Sequence, residues 1–340
     1  MKIGLIGGGN ISNTHARAAR AIAGAEITAV YGTNQKKVIQ LSREYGGTAY
    51  GDVQAFLAHG EMEMVIIGGP SGLHASQGMA AAQHGHHVLV EKPIDISTQR
   101  ADALIAECKK AGVKLGVIFQ DRFKQDVMKL RQWIQDGVLG RVLLADARVK
   151  WYRPPEYYRD SRWRGTWELD GGGALMNQGV HTVDLLLWLL GDAKAVAART
   201  ATLLHDIETE DTALALLEFS SGALGTFEAT TAAFPGYPRR VEITGTEGTV
   251  VLEQDCIVYT DLRGKDGRFA SASVRDQNLS ASSPTVSDVR GHQQAIEDFI
   301  RAIQQDATPR CDGPDARRSL TLIEDIYCLS GALKDSTNLT

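Results

Sequence analysis

The stretch KIGLIGGGNIS, residues 2–12, decides the fold class of this chain. An apolar strand, 2–6, leads directly into three glycines and then into a segment with helical spacing. This order fits the fingerprint GxGxx[G/A], with Ser12 in the third small position. Gly7 permits the tight turn, and Gly9 lets a pyrophosphate approach the backbone at a helix N-terminus. We therefore predict a dinucleotide-binding unit here, with an ordinary glycine-rich turn as the alternative.

Strands and helical stretches alternate over the first third of the chain. The alternation implies right-handed crossovers between parallel strands. The predicted fold class is therefore α/β, with an N-terminal doubly wound parallel sheet of the Rossmann type. The predicted strands are 2–6, 26–31, 63–68, 87–90 and 114–118, and the helical segments between them include 12–23, 34–45, 73–84 and 97–111.

After about residue 120 the strands become longer, and turn signals that suggest antiparallel hairpins separate them. The predicted strands are 141–152, 211–219, 223–231 and 239–252. Residues 262–291 are polar and read as an exposed loop, and helical stretches near 291–305 and 315–333 close the chain. We therefore predict two domains, 1–120 and 121–340.

Composition excludes several classes of protein. The net charge of -5 disfavours nucleic acid as the main partner. No apolar run reaches the roughly 20 residues of a membrane span, and no signal peptide precedes the first strand, which predicts a soluble cytoplasmic protein. The four cysteines are far apart and form no CxxC pair. His84, His86 and His87 lie at a helix-to-strand turn without a cysteine or carboxylate at ligand spacing, so we predict no metal site.

The strand 87–90 ends in an unusual way, with Glu91, Lys92 and Pro93. In a doubly wound sheet the carboxyl ends of the strands face the ligand crevice, so Lys92 is expected to point toward a cofactor. The proline ends the hydrogen-bonded ladder and restricts the lysine before it. A surface salt bridge at a strand end is the alternative.

The second unusual stretch is GGGALMNQGVHTVDLLLWLLG, residues 171–191. Three glycines precede an apolar helix, and Gly191 suits its C-terminal cap. Asn177, His181 and Asp184 are spaced by four and three, which places them on one helix face. A polar stripe on an apolar helix is costly to bury without a reason, so these residues are candidates for a site. A core histidine satisfied by Asp184 is the alternative.

Arginines and aromatic residues are concentrated in residues 151–167. This segment holds three of the five tryptophans, including Trp163, and four arginines, namely Arg153, Arg159, Arg162 and Arg164. Aromatic faces beside guanidinium groups suit a sugar that carries an anionic group. We expect a pyranoside substrate, with charged forms such as uronates or sugar nucleotides preferred. A structural loop with solvated arginines is the alternative.

The end of the second strand bears on the choice of nicotinamide. Gly32 lies where a discriminating aspartate is usual in dinucleotide folds, so the group that repels a 2′-phosphate is missing. Thr33 and Asn34 can donate hydrogen bonds, and Lys36 opens the next helix. We expect NAD(P) as cofactor, with NADP modestly favoured and dual use.

Together, the fingerprint at 7–12, EKP at 91–93 and GGGALMNQGVHTVD at 171–184 resemble the glucose-fructose oxidoreductase / inositol dehydrogenase / rhizopine-catabolism family, Gfo/Idh/MocA. The resemblance covers essentially the whole chain and is closest to members that oxidise the pyranose ring of sugar nucleotides at C3. It implies that Lys92 transfers a proton and that His181 is the catalytic histidine. Many members carry aspartate at the position of Asn177, and an amide cannot take a proton. Asn177 is therefore expected to position a hydroxyl while His181 acts as the base, kept neutral by its place near a helix N-terminus.

The resemblance also implies a function: hydride transfer between a nicotinamide and a secondary hydroxyl of a sugar, sugar derivative or cyclitol. The alternatives are a glycoside-cleaving enzyme of the same fold and a nucleotide-sensing regulator without catalysis. Residues 1–120 would bind NAD(P). Residues 121–340 would form an α+β domain with a large open, mostly antiparallel sheet that binds substrate and forms a homo-oligomer, either a dimer or a tetramer.

The residues expected at these sites follow from the same resemblance. The predicted cofactor contacts are Gly7, Gly9, Asn10, Ile11, Ser12, Gly32, Thr33, Lys36, Gly69, Pro70, His74, Glu91, Lys92 and Gln120. The predicted substrate contacts are Lys92, Arg153, Trp163, Arg164, Asn177, His181 and Asp184.

Overall fold

The computed structural model describes residues 1–264, 269–270 and 288–333. The chain divides into two compact units. The first comprises Met1–Gln120 and Thr285–Arg317, and the second comprises Asp121–Pro284 and Arg318–Thr340. Most of the polar segment 262–291, predicted as an exposed loop, lies outside the described residues.

The first unit is built on a six-stranded sheet in which every pairing is parallel. Its order, β3-β2-β1-β4-β5-β6, is that of doubly wound dinucleotide-binding sheets, so the predicted Rossmann-type sheet is confirmed. The sequence did not predict β3, which has only three residues. The strands are β1 Lys2–Ile6, β2 Glu26–Tyr31, β3 Thr48–Tyr50, β4 Met64–Ile67, β5 His87–Glu91 and β6 Leu115–Ile118.

Apolar composition explains why these strands lie at the centre of the unit. All four residues of β4, MVII, and all four of β6, LGVI, are buried, as expected for parallel strands covered on both faces. The α-helices of the described residues in both units are α1 Asn10–Arg20, α2 Gln35–Tyr45, α3 Val53–Leu57, α4 His74–Gln83, α5 Thr98–Ala111, α6 Gln125–Gln135, α7 Glu156–Arg159, α8 Val180–Leu190, α9 Arg290–Gln304 and α10 Gly313–Ser330.

The second unit contains an eight-stranded sheet in the order β14-β13-β12-β11-β7-β10-β9-β8. Only β7 and β10 pair in parallel, so the prediction of a mostly antiparallel sheet is confirmed. The Ala-rich β8 was missed because alanine is a poor strand former. The strands are β7 Val142–Lys150, β8 Ala193–Ala201, β9 Thr212–Phe219, β10 Leu224–Thr230, β11 Arg240–Gly245, β12 Gly248–Glu253, β13 Cys256–Leu262 and β14 Phe269–Ala270.

The two faces of this sheet differ in exposure. Burial alternates along β7, β9 and β10, as expected when one face of a sheet packs on a core. A helical segment lies against the buried face, where a Cβ on Gly179 would stand 3.2 Å from the Phe227 ring. The opposite face exposes large leucines, among them Leu214 and Leu216. An open face of this kind is a candidate surface for association.

The helix predicted after the three glycines has two parts. Residues Ala174–Gly179 form a π-helix, and α8 begins only at Val180. The prediction of one regular helix face shared by Asn177, His181 and Asp184 assumed 3.6 residues per turn, which the wider π-turn does not keep. π-Turns occur frequently at functional sites.

Asp184 lies in the core of the second unit rather than on a substrate-facing surface. The side chains of Asp184 and Arg122 are each 1% exposed, and Nε of Arg122 donates to Oδ2 of Asp184 at 2.7 Å. The hydroxyl of Ser319 lies 3.3 Å from Oδ1 of Asp184. The expectation that Asp184 contacts substrate is therefore corrected, because its carboxylate is used in a buried ion pair.

Replacing Asp184 by asparagine leaves the buried Arg122 guanidinium without its carboxylate. We expect the free energy of unfolding to fall by about 3–5 kcal/mol, seen as a lower urea midpoint. Asp192→Asn is the matched control, because Asp192 pairs with Arg318 at the surface and is 74% exposed. An exposed pair contributes about 0–1 kcal/mol. Equal urea midpoints for the two variants would contradict this reading of the ion pair.

Candidate active site

The glycine turn of the first unit has room for a phosphate group. Gly7 has a φ of +127°, and its N–H donates to the Tyr31 carbonyl at 2.7 Å. A Cβ on Gly9 would meet no atom within 4 Å, and α1 begins at Asn10 with no acidic residue in its first turn. Ser12 is 1% exposed and packs beneath the turn. These features fit a dinucleotide pyrophosphate, which free backbone N–H groups at a helix start can bind.

The neighbouring turn after β2 is crowded but carries no acid. A Cβ on Gly32 would lie 3.1 Å from Val38 Cγ2 and 3.3 Å from the Gly7 carbonyl carbon. Thr33 and Lys36 are exposed. The Asn34 side chain caps α2 by accepting from the Lys37 N–H at 3.2 Å, so its oxygen is already engaged.

Glu91 lies inside the first unit and not at its surface. It is 6% exposed, and its Oε1 lies 2.8 Å from Nε2 of His15 and 3.6 Å from Nε2 of His292. Burial raises the pKa of Glu91, but hydrogen bonds from His15 and His292 outweigh burial and hold it well below its usual value. Burial lowers the pKa of His15, which fits a neutral ring donating to the carboxylate.

One expectation about Glu91 is therefore corrected. Its carboxylate is held among buried histidines, so it does not form the surface salt bridge that was the alternative. The cofactor contact of Glu91 stays a prediction. Its Oε2 also accepts from the Lys92 N–H at 3.1 Å. The buried group thereby fixes the backbone at the half-buried Lys92, where the Lys92–Pro93 peptide is cis.

His74 joins two loops of the first unit. Its Nδ1 lies 2.8 Å from the Pro93 carbonyl, and its Nε2 lies 3.1 Å from the Gly69 carbonyl. The ring is 1% exposed. His74 is thus a structural link between the loops after β4 and β5, and its cofactor contact stays a prediction. The predicted cofactor contacts Gly69 and Pro70 after β4, Gln120 after β6 and Ile11 in α1 are half-buried.

The three clustered histidines, His84, His86 and His87, form hydrogen bonds with backbone groups of the first unit. His86 lies with its ring nitrogens 3.0 Å and 2.8 Å from the carbonyls of Met62 and Leu57, and His87 accepts from the Lys114 N–H. His84 contacts the carbonyl of Ala80. The described residues contain a different group whose atoms are close enough to hold a metal ion. The nitrogen and oxygen atoms of His15, Glu91 and His292 that could bind a metal lie within 4.8 Å of one another.

Asn177 in the second unit is held by a buried carboxylate that the sequence did not single out. Its Nδ2 donates to Oδ1 of Asp170 at 2.6 Å, and Oδ2 of Asp170 accepts from the Gly165 N–H at 2.9 Å. Asp170 is 1% exposed. The amide orientation of Asn177 is therefore fixed, as a group that positions a hydroxyl requires.

His181 lies at the start of α8 beside a second buried carboxylate. Its Nδ1 stands 3.7 Å from Oδ2 of Asp121, and that oxygen accepts from Arg239 at 2.8 Å. Arg239 also pairs with Asp255. Burial raises the pKa of Asp121, but Arg239 and His181 outweigh it and hold the pKa well below its usual value. The Asp121 carboxylate is thereby held in place beside the His181 ring.

The four arginines of 151–167 fall into two pairs. Arg159 and Arg162 are exposed, as the solvated-loop alternative proposed. Arg153 is 2% exposed, and its guanidinium lies 5.2 Å from the Trp151 ring centroid. Arg164 is half-buried, with its guanidinium 4.2 Å from the Tyr157 centroid. Burial lowers the pKa of Arg153.

Gln178 connects this arginine pair to Asn177. Its Oε1 accepts from Nη2 of Arg153 at 3.1 Å. Its Nε2 donates to the Tyr157 hydroxyl at 3.1 Å and to Oδ1 of Asn177 at 3.2 Å. Trp163 is half-buried, 5.3 Å from the Arg164 guanidinium. Within the second unit the predicted residues Arg153, Arg164 and Asn177 thus belong to one polar network.

Comparison with known proteins matches both parts of the chain. Residues 1–119 match the oxidoreductase family with the NAD-binding Rossmann fold, and residues 127–251 match the GFO/IDH/MocA C-terminal domain. The chain belongs to the Gfo/Idh/MocA family. The predicted family, fold class and NAD(P)-dependent oxidoreductase class are thereby confirmed.

Several relatives cover nearly the whole chain. A myo-inositol 2-dehydrogenase of Thermotoga maritima is 26% identical over 95% of this chain and 94% of its own length. An NADP-dependent D-xylose 1-dehydrogenase of Haloferax volcanii is 28% identical over 89% of both chains. The structure of the WlbA dehydrogenase from Bordetella pertussis, in complex with NADH and UDP-GlcNAcA, is 32% identical with a TM-score of 0.85, over 97% of this chain and 96% of that chain.

The described residues also bear on membrane insertion. None of the helices in that part of the chain is both long enough and apolar enough to cross a bilayer.

Proposed function

We propose that this protein oxidises a secondary hydroxyl of a sugar, with the first unit binding NAD(P) and the second unit binding the substrate. When bound, NAD(P) accepts the hydride. His181 removes the hydroxyl proton, Lys92 holds or relays it, and Asn177 orients the hydroxyl. The observation that carries the proposal is the pair of buried carboxylates, Asp170 and Asp121, which lie against Asn177 and His181. Such support is what a positioned base and its neighbour need.

The same residues separate this function from its alternatives. A nucleotide-sensing regulator needs neither a base nor its supporting carboxylate. A glycoside-cleaving enzyme uses transient oxidation, so analysis of the product distinguishes an accumulated ketone from a broken glycosidic bond.

Replacing His181 or Lys92 by alanine should lower turnover by about 10²–10⁴-fold, because each variant loses a group that handles the proton. In His181→Ala the dissociation constant of NADPH, measured by fluorescence titration, should stay within twofold, because His181 is not among the predicted cofactor contacts. His84→Ala and Lys110→Ala are matched surface controls and should keep full turnover, since both side chains are exposed. Unchanged turnover in both His181→Ala and Lys92→Ala would contradict the assignment.

We propose further that the substrate is a pyranoside with an anionic group, such as a nucleotide-linked uronate. A guanidinium group placed against aromatic rings can recognise a carboxylate or phosphate bidentately while a sugar packs on the rings. Arg153 and Arg164 have this arrangement and are linked to Asn177 through Gln178. The WlbA relative, whose structure contains UDP-GlcNAcA, supports the same substrate class.

Arg164→Ala should raise KM for a UDP-linked uronate by at least tenfold, because it removes a charge-assisted contact, and should change KM for the matching neutral sugar nucleotide far less. Arg162→Ala is the control from the same segment, since Arg162 is exposed. The measurement is initial-rate kinetics at two salt concentrations. A neutral inositol turned over best, without a salt effect, counts against the proposal.

We propose that both nicotinamides bind, with NADP favoured. No acid follows β2 to repel a 2′-phosphate, and Thr33 and Lys36 are exposed beside it. Gly32→Asp should weaken NADP binding more than NAD binding. Gly32→Ala is the control for crowding, because any Cβ there meets Val38 and Gly7. If the wild-type protein binds NAD at least tenfold tighter than NADP, the proposal is wrong.

We propose that the chain forms a homo-oligomer through the open face of the eight-stranded sheet. Leu144, Leu214, Leu216 and Leu224 are 47–55% exposed there, and Leu144 and Leu224 lie opposite each other in the register of β7 and β10. Leu214→Lys with Leu216→Lys should give monomers in sedimentation experiments, while Leu329→Lys on α10 should not. A monomeric wild-type protein at micromolar concentration would refute this.

A further inference from the structure

Glu210 is a buried carboxylate that accepts several hydrogen bonds at the start of the π-helix. The residue is 3% exposed and lies in the second unit, just before β9. Its Oε1 accepts from the Leu175 N–H at 2.8 Å and from the Tyr327 hydroxyl at 2.9 Å. The Gly173 N–H lies 3.0 Å from its Oε2. One side chain thus satisfies backbone donors at the N-terminal end of the segment that carries Asn177 and His181.

The backbone of Glu210 reinforces this attachment. The Ala174 N–H donates to the Glu210 carbonyl at 3.0 Å. A Cβ on Gly173 would stand 1.8 Å from that carbonyl oxygen, and a Cβ on Gly172 would stand 2.1 Å from the Tyr327 hydroxyl. Gly172 and Gly173 are therefore required, because the chain passes against Tyr327 and Glu210 at these two positions.

The attachment leads directly to a candidate site residue. Gly173, which Glu210 holds by its N–H, accepts with its carbonyl from the Asn177 N–H at 2.9 Å. The π-helix then continues through Gly179 into α8, where His181 is the second residue. A shift of Gly173 therefore moves the backbone of Asn177 and the start of α8 together.

We propose that Glu210, together with Tyr327, is a positioning residue that sets the backbone at the start of the π-helix and thereby the orientation of Asn177 and His181. The inference rests on the proposed function, in which these two residues act on the substrate hydroxyl. Glu210 does not itself touch substrate. It acts through the Gly173 contact, and misplacement of reacting groups by about 1 Å can reduce the rate about 10²-fold.

The donors around Glu210 support this role, because they oppose the effect of burial on its ionisation. Burial raises the pKa of Glu210 to about 7, while the N–H groups of Leu175 and Gly173 and the Tyr327 hydroxyl act to lower it. Burial and the Glu210 carboxylate raise the pKa of Tyr327, so Tyr327 remains a donor. The ionised carboxylate is the stronger acceptor for these donors.

Glu210→Gln is the informative substitution, because it keeps the size of the side chain and one acceptor oxygen. That oxygen can still accept from Leu175 and Tyr327, but the new NH₂ group faces the Gly173 N–H. We expect kcat to fall at least tenfold, with the dissociation constant of NADPH within twofold. The primary deuterium isotope effect on kcat, measured with a substrate labelled at the reacting carbon, should rise because hydride transfer becomes slower than the other steps. Glu208→Gln, at an exposed residue of the same loop, is the control.

The His181→Ala background shows whether Glu210 acts through the helix. If it does, adding Glu210→Gln should reduce the residual turnover far less than the same change reduces wild-type turnover. Tyr327→Phe, which removes one donor, should give a smaller loss with the same rise in isotope effect. If Glu210→Gln does not fold, the kcat and isotope effect of Tyr327→Phe test the positioning role in its place.

The two hypotheses fail in different ways. If the wild-type protein does not oxidise sugars, or if His181→Ala keeps full turnover, the proposed function is overturned. A normal loss in His181→Ala, combined with unchanged kcat and isotope effect in folded Glu210→Gln, overturns only the positioning role. If the Glu210 and Tyr327 variants are less stable but keep the wild-type kcat and isotope effect, the positioning role is likewise overturned.

Discussion

Burying a carboxylate is costly unless hydrogen bonds and opposite charges replace its water, and this constraint shapes the candidate sites in both units. In the first unit Glu91 lies beside His15 and His292 and accepts from the Lys92 N–H. In the second unit Asp170 binds Asn177, and Asp121 lies beside His181. Each proposed catalytic residue is thus adjacent to a carboxylate whose own partners are already fixed.

The partners determine what each carboxylate can do. Arg239 bonds to Asp121 and holds its pKa well below the usual value, so the Asp121 carboxylate is too weak a base to remove a substrate proton. Asp184 is paired with Arg122 and stabilises the core below α8. Glu210 is different, because neutral N–H and O–H donors hold it at the helix start, and no cation of the described residues pairs with it. Asp121, Asp184 and Glu210 therefore fix the position of the helix and the electrostatic potential around it. None of them is proposed as the base, so His181 is the group that removes the substrate proton.

The sequence predicted those parts of the fold that depend on local patterns. The glycine turn, the order of strands and helices in the first unit and the hairpin at Thr246–Gly248 follow from apolar periodicity and turn residues. The π-helix could not be predicted, because the spacing of Asn177 and His181 also fits an α-helix. The strand β3 has only three residues, too few for a strand pattern, and the Ala-rich β8 lacks the composition that marks a strand.

The site was predicted in its central residues but not in its supports. Lys92, Asn177 and His181 belong to recognisable motifs. Asp121 and Glu210 carry no local signal, because their partners are distant in sequence, as Tyr327 is from Glu210. Asp170 lies only seven residues before its partner Asn177, but it belongs to no recognised motif. The same limitation placed Asp184 on the wrong surface and hid the contact between Glu91 and His292.

The central claim is that hydride passes from a carbon of the sugar ring to the nicotinamide. Its most direct test follows a label: a nucleotide-linked uronate with deuterium at C3 is incubated with the protein and NADP, and both products are analysed by mass spectrometry. The account predicts a reduced nicotinamide that carries the deuterium and a keto sugar with an intact glycosidic bond. Reduced nicotinamide without deuterium, or a cleaved glycosidic bond without an accumulated ketone, would contradict it.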